Sequence, residues 1–94
     1  MEMAPLRRAA RKDENHDQIA EAFRALGWQV IEAYQFAQFC PGFPDIIAIK
    51  DGVVRFVEVK TPVGRLTKTE KAFLDRFPQI VRVVRSVDDV LEMR

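Results

Sequence analysis

Pro44-Asp45-Ile46-Ile47-Ala48-Ile49-Lys50-Asp51-Gly52-Val53-Val54-Arg55-Phe56-Val57-Glu58-Val59-Lys60 decides the fold. Two runs rich in Ile and Val flank Asp51-Gly52, and Asp-Gly between such runs signals a tight two-residue hairpin. The turn sets the register. Lys50 faces Val53, and each step outward pairs the next two residues until Asp45 lies opposite Glu58. Two carboxylates so placed have Cβ atoms roughly 4.5–5.5 Å apart, and like charges directly opposite each other destabilise a sheet. A divalent cation such as Mg²⁺ would relieve them, because it is held by one or two carboxylates together with water and phosphate oxygens. Strand side chains repeat every two residues, so Glu58 and Lys60 share a face. An ammonium group beside the cation can position an attacking water and offset developing charge. The chemistry suggested is metal-assisted cleavage of a phosphodiester.

The rest of the composition narrows the choice. The chain has 94 residues, enough for one domain with a modest core. Hydrophobic residues make up 48% and charged residues 31%, which is globular rather than disordered. No apolar run approaches the ~18 residues of a membrane span. The basic N-terminal stretch, with Arg7, Arg8, Arg11 and Lys12, lacks the apolar segment of a secretory signal. Cys40 is the single cysteine, so no disulfide framework is expected and a reducing, cytoplasmic setting is the default. With His16, Cys40 and Ser86 the only residues of their types, a Cys/His zinc site cannot be built within one chain, and a serine or cysteine triad is improbable. There is no glycine-rich phosphate loop.

Net charge is only +1, but it is unevenly spread. Residues 1–12 carry four basic side chains against Glu2, whereas residues 13–49 have Arg24 as their only basic residue. Residues 50–82 carry eight basic against four acidic side chains, among them Arg55, Lys60, Arg65, Lys68, Lys71 and Arg76. A basic excess around an acid pair suits a phosphate backbone.

Along the chain, residues 1–13 lack periodicity and read as a flexible basic arm ahead of a single domain over residues 14–94. A helix is expected over Asn15–Leu26, with Asn15 and Gln18 as a capping-box-like pair. Ile19, Ala22, Phe23 and Leu26 form its apolar stripe, and Gly27 ends it. Trp28 to about Phe36 reads as a strand and residues 37–43 as a loop. The hairpin follows and stops at Thr61-Pro62. A second helix is expected over Thr67–Phe77, opened by a Thr67/Glu70 capping box and stopped by Pro78. A strand over Ile80–Val84 and a short helix capped by Ser86, with Asp88 and Asp89 in its first turn, complete the chain. The order α-β-β-β-α-β-α predicts an α/β fold with a mixed sheet of about four strands flanked by helices.

Gly42-Phe43-Pro44-Asp45, Glu58-Val59-Lys60 and Gly64-Arg65-Leu66-Thr67 together resemble the Pro-Asp…(Asp/Glu)-x-Lys nuclease superfamily. Within it the chain is most similar to the virus-type replication-repair nuclease domain, VRR-NUC, in its small stand-alone phage form. The resemblance runs from about Asp13 to Leu91 and includes the Arg82–Val87 stretch. It implies a restriction-endonuclease-like core and Mg²⁺- or Mn²⁺-dependent DNA cleavage, with a place in phage replication, recombination or repair. It makes Asp45 and Glu58 metal ligands, the Val59 carbonyl a further one, and Lys60 the catalytic lysine. It also implies homodimers on branched DNA, like those of Holliday-junction resolvases. A C2 dimer would widen the small footprint of one protomer, and Phe36, Phe39 and Phe43 are candidates for its interface.

The chain departs from the superfamily pattern in two places. Many members carry a helical Glu that completes the metal site, but on a helical wheel Glu14, Asp17 and Glu21 lie away from the apolar stripe. Only His16 and Gln18 flank it, so His16 is the candidate replacement, as a ligand or a base. Glu70 stands where relatives often have Gln. It shares a face with Phe73, Leu74 and Phe77, which brings it towards the site, although capping alone explains it. Arg65, Lys68 and Lys71 are the candidate DNA contacts, with the Gln35–Phe43 and Val63–Lys71 segments flanking the backbone. A non-catalytic nucleic-acid-binding module that kept the fold is the alternative to an endonuclease.

Overall fold

Asp51 and Gly52 both take positive φ, 51° and 80°, in the computed structural model, which describes residues 12–93. That pair of angles is the turn whose twist matches its flanking strands. It joins β2 (Ile46–Lys50) to β3 (Val53–Val59) antiparallel, with Lys50 facing Val53 and Ile46 facing Val57, the predicted register. A strand β1 (Gln29–Glu32) adds antiparallel to β2, with Glu32 opposite Ile46. On the other edge β4 (Val81–Val84) runs parallel to β3. The sheet has four strands in the order β1-β2-β3-β4. With α1 (His16–Ala25), α2 (Lys68–Arg76) and α3 (Val87–Leu91), the element order is the expected α-β-β-β-α-β-α.

Alternation along the strands divides the side chains between two layers. Ile46, Ala48, Val57 and Val59 pack with Ile19, Ala20 and Phe23 of α1 and Val90 of α3. Phe23 and Ile19 are fully buried there, each contributing roughly 1.5–3 kcal/mol by removal of apolar surface from water. Phe56 lies on the opposite face, with its ring centroid 6.4 Å from that of Phe73 on α2 and 5.7 Å from that of Phe43. This second layer is thinner, since no residue of α2 is fully buried.

Two local expectations are corrected. The strand expected from Trp28 to about Phe36 ends at Glu32, and Tyr34–Gln38 winds into a 3₁₀ turn. Ala33 still donates to the Asp45 carbonyl at 2.8 Å. The next residue of the neighbouring chain is Pro44, which has no N–H to extend the ladder, so the chain coils instead. The Asn15/Gln18 cap does not form. The Asn15 amide donates to the carbonyls of Lys60 and Arg85, 3.1 Å each, and so ties the ends of the parallel strands to the helix start. Phe43 belongs to the aromatic layer. It is half-buried between Phe36, Phe56 and Phe73, with centroids 5.5, 5.7 and 5.6 Å away. The Thr67/Glu70 capping box and the Ser86 cap form as expected. Most of the predicted basic arm lies outside the described residues, and Lys12 pairs with Asp17 at 3.0 Å. No helix among the described residues is long and apolar enough to cross a membrane.

Gly42 fixes where α2 sits. Its φ is +88°, and a Cβ there would lie 2.2 Å from the Thr69 carbonyl oxygen. Gly42→Ala is therefore expected to destabilise the protein by about 2 kcal/mol or more, through left-handed strain plus displacement of α2. Gly52→Ala, at φ +80° with open space around it, should cost only about 1–2 kcal/mol. Urea denaturation of the two variants checks this ordering.

Candidate active site

One step beyond the Ile46–Val57 pair that ends the ladder, Asp45 comes beside Glu58. The main chain holds Asp45 on three sides. Its N–H donates to the Val57 carbonyl at 2.9 Å, its carbonyl accepts from Ala33 at 2.8 Å, and its Oδ2 accepts from the Val59 N–H at 2.8 Å. Glu58 is only 3% exposed, because β4 flanks it on the other side. The two carboxyl groups are close enough that each acts on the other's ionisation. Burial, then the negative charges of Asp45 and Glu70, push the Glu58 carboxyl up to about 10. Burial also raises Asp45, against the pull of the Val59 N–H. Without a cation the pair keeps a proton, as two close carboxylates must.

Lys60 lies on the same face as Glu58, with its Nζ 3.9 Å from Glu58 Oε2 and 2.8 Å from Glu70 Oε1. Burial opposes its charge, but the Glu70 hydrogen bond and the surrounding carboxylates outweigh this and hold its pKa above the ordinary lysine value. Burial likewise opposes the Glu70 anion, and the bonds from Lys60 and the Thr67 N–H overcome it, so that its pKa is lowered. Both readings of Glu70 hold at once. The same Oε1 accepts the Thr67 N–H at 2.8 Å as the helix cap and receives the Lys60 ammonium.

The first-helix candidates separate. His16 is 1% exposed, with its Nε2 2.7 Å from Glu32 Oε1 and its ring edge-on to Tyr34. It lies close enough to Asp45 to favour that group's ionised form. Its Nδ1 is buried and has no hydrogen-bond partner among the described residues. Gln18 is exposed and lines a separate cleft of about 300 Å³ with Asn15, Pro62, Arg85 and Ser86. Arg65, Lys68 and Lys71 are all exposed on the segment leading into and through the start of α2.

Sequence reasoning missed Glu32 and Asn15. Glu32 fell within the expected strand and belonged to no motif. It holds His16 and sits 3.6 Å from Arg24. Asn15 looked like a cap, and its contacts with Lys60 and Arg85 lie 45 and 70 residues away in sequence.

Among the described residues, no group of three His, Cys, Asp or Glu side chains is arranged to hold a metal ion. A cation between Asp45 and Glu58 would thus have hard oxygen donors and take its other positions from the backbone, water or substrate, the pattern that suits Mg²⁺. The repelling, buried pair fits such an ion.

The family model of the VRR-NUC domain matches residues 2–87, nearly the whole chain. The chain belongs to the VRR-NUC family. It is therefore a nuclease of the Pro-Asp…(Asp/Glu)-x-Lys type, with DNA as its substrate. A search of curated proteins finds no match.

The raised Glu58 pKa sets the sign of a stability change in this VRR-NUC protein. Below the unfolded value of 4.5 the group is protonated in both states; from there to about 10 only the unfolded chain releases the proton. Stability therefore falls as pH rises through that window. Glu58→Gln removes this slope. In EDTA it should melt above the wild type at pH 8 and approach it near pH 4, as read by thermal denaturation.

Proposed function

We propose that this VRR-NUC protein is an endonuclease that hydrolyses DNA phosphodiester bonds with Mg²⁺ or Mn²⁺, acting as a homodimer on branched or structured DNA. The observation that carries the reading is the Asp45–Glu58 pair, with Glu58 buried and the Lys60 ammonium 3.9 Å from it. Asp45, Glu58 and the Val59 carbonyl would hold the cation. When bound, it supplies a Lewis acid that polarises the scissile phosphate and eases deprotonation of water.

The protein's own groups do the positioning. The Val59 N–H fixes one Asp45 oxygen, so the carboxylate presents the other. Lys60 donates to the attacking water and faces the charge that builds on the phosphate, which is worth most in a site shielded from solvent. Glu70 holds the ammonium in place. His16 is the first-helix residue that would serve as a base near the pair. In the tautomer whose Nε2–H donates to Glu32, the buried Nδ1 is left as its acceptor. Arg65, Lys68 and Lys71 would meet phosphates, with the Gln35–Phe43 and Val63–Lys71 segments on either side of the strand. A role in phage DNA replication, recombination or repair accords with the family.

The lean donor set favours one rival, a DNA-binding module without catalysis. Incubation with nicked, flapped and four-way DNA separates the two. Cleavage should require Mg²⁺ or Mn²⁺, stop in EDTA, and fall by about 10²-fold or more in both Asp45→Ala and Lys60→Ala. Binding that persists in both variants, with no cleavage by the wild type, would establish the module instead. Mn²⁺ should raise the melting temperature of the wild type and leave that of Asp45→Ala unmoved. Light scattering should give a dimer mass, and a monomer with and without DNA would remove that part of the proposal.

A further inference from the structure

Residues 34–43, Tyr-Gln-Phe-Ala-Gln-Phe-Cys-Pro-Gly-Phe, contain no charge and lead through Pro44 into Asp45. Phe39 is 74% exposed at its tip. The backbone around it is held from both sides. The N–H groups of Phe39 and Cys40 donate to the Phe36 carbonyl at 2.9 and 2.8 Å, and Phe43 donates to Cys40 at 3.0 Å. Gly42 rests on the α2 backbone at Thr69, and Phe43 is packed among three rings. Phe39 is thus presented to solvent on a braced turn.

Beside it runs a cleft of about 170 Å³ lined by Cys40, Pro41, Thr69, Ala72, Phe73 and Arg76. That is below the roughly 300 Å³ at which pockets for drug-sized ligands begin, and suits a single planar ring. Its walls are apolar and aromatic, with one guanidinium. Arg76, Lys68 and Lys71 form no ion pair among the described residues. The cleft is joined to the acid pair through α2, since Thr69 lines it and the next residue, Glu70, holds Lys60.

A neutral rim carrying an exposed ring, next to unpaired cations, calls for a partner with flat π faces and a negative backbone. DNA supplies both only where a base is unpaired, because a duplex hides its faces in the stack. We infer that Phe39 and the Cys40–Arg76 cleft bind an unpaired nucleobase next to the scissile phosphodiester, so that single-stranded character in the DNA is what this nuclease selects. Phe39 stacks on the base and Arg76 meets its phosphate. This inference rests on the nuclease reading and narrows its substrate.

The test compares gapped and fully duplex oligonucleotides, with 2-aminopurine at the unpaired position, binding the full-length protein in EDTA. Wild type should bind gapped DNA more tightly and quench the probe. Phe39→Ala should lower the gapped-to-duplex affinity ratio about 10-fold, in line with the ~1–3 kcal/mol of one stacked base, and Phe39→Trp should restore it. An unchanged ratio in Phe39→Ala, or no preference in the wild type, overturns the inference. So does a change from dimer to monomer in Phe39→Ala, which would put a second copy of the chain on this rim. The two readings fail separately. Metal-dependent cleavage with an unchanged ratio removes only the base site, and a Phe39-dependent ratio without cleavage removes only the nuclease mechanism.

Discussion

Two acidic side chains set together at the end of a hairpin, one of them buried, are the constraint on which the rest of this structure depends. Left alone, Asp45 and Glu58 must share a proton. The Val59 N–H and the Lys60 ammonium temper the repulsion without cancelling it. The fold tolerates the pair because the hairpin is supported on both sides, by β1 and β4 at its edges and by helices on its faces. A protein at the margin of stability keeps such a local conflict when function gains from it.

The surroundings of the pair are divided between two layers. The α1 layer is closely packed and fixes the strands. The α2 layer is a set of aromatic rings with a capped helix above it, and it carries Glu70 and the exposed cations. Placement of the lysine thus falls to the thinner layer. The Gly42 contact gives that layer a fixed seat, since no side chain stands between the loop and the backbone of α2.

Much of this was legible in the sequence because the signals were local. Asp51-Gly52 specified a turn type, the turn specified a register, and the register set Asp45 against Glu58. The Thr67/Glu70 and Ser86 caps were read from residues three apart, and both formed. What could not be read were contacts between distant segments. Asn15 had the right chemistry for a cap, but its NH2 group is held by two carbonyls at the strand ends and its Oδ1 accepts no helix N–H. The residues after Glu32 had strand-like side chains, but Pro44 removed the donor they needed on the neighbouring strand. Neither pattern nor propensity reveals a partner that tertiary packing supplies. The His16–Glu32 pair was hidden for the same reason.

One oxygen of Glu70 serves two donors, the amide that begins α2 and the ammonium of Lys60. The choice of side chain at this position is therefore narrow. Glutamine keeps a carbonyl oxygen at the same reach, whereas aspartate is one methylene short and would have to choose between the two. A mutation elsewhere that merely frays the first turn of this helix would let the lysine wander, so errors in a piece of ordinary scaffold would surface as faults in chemistry.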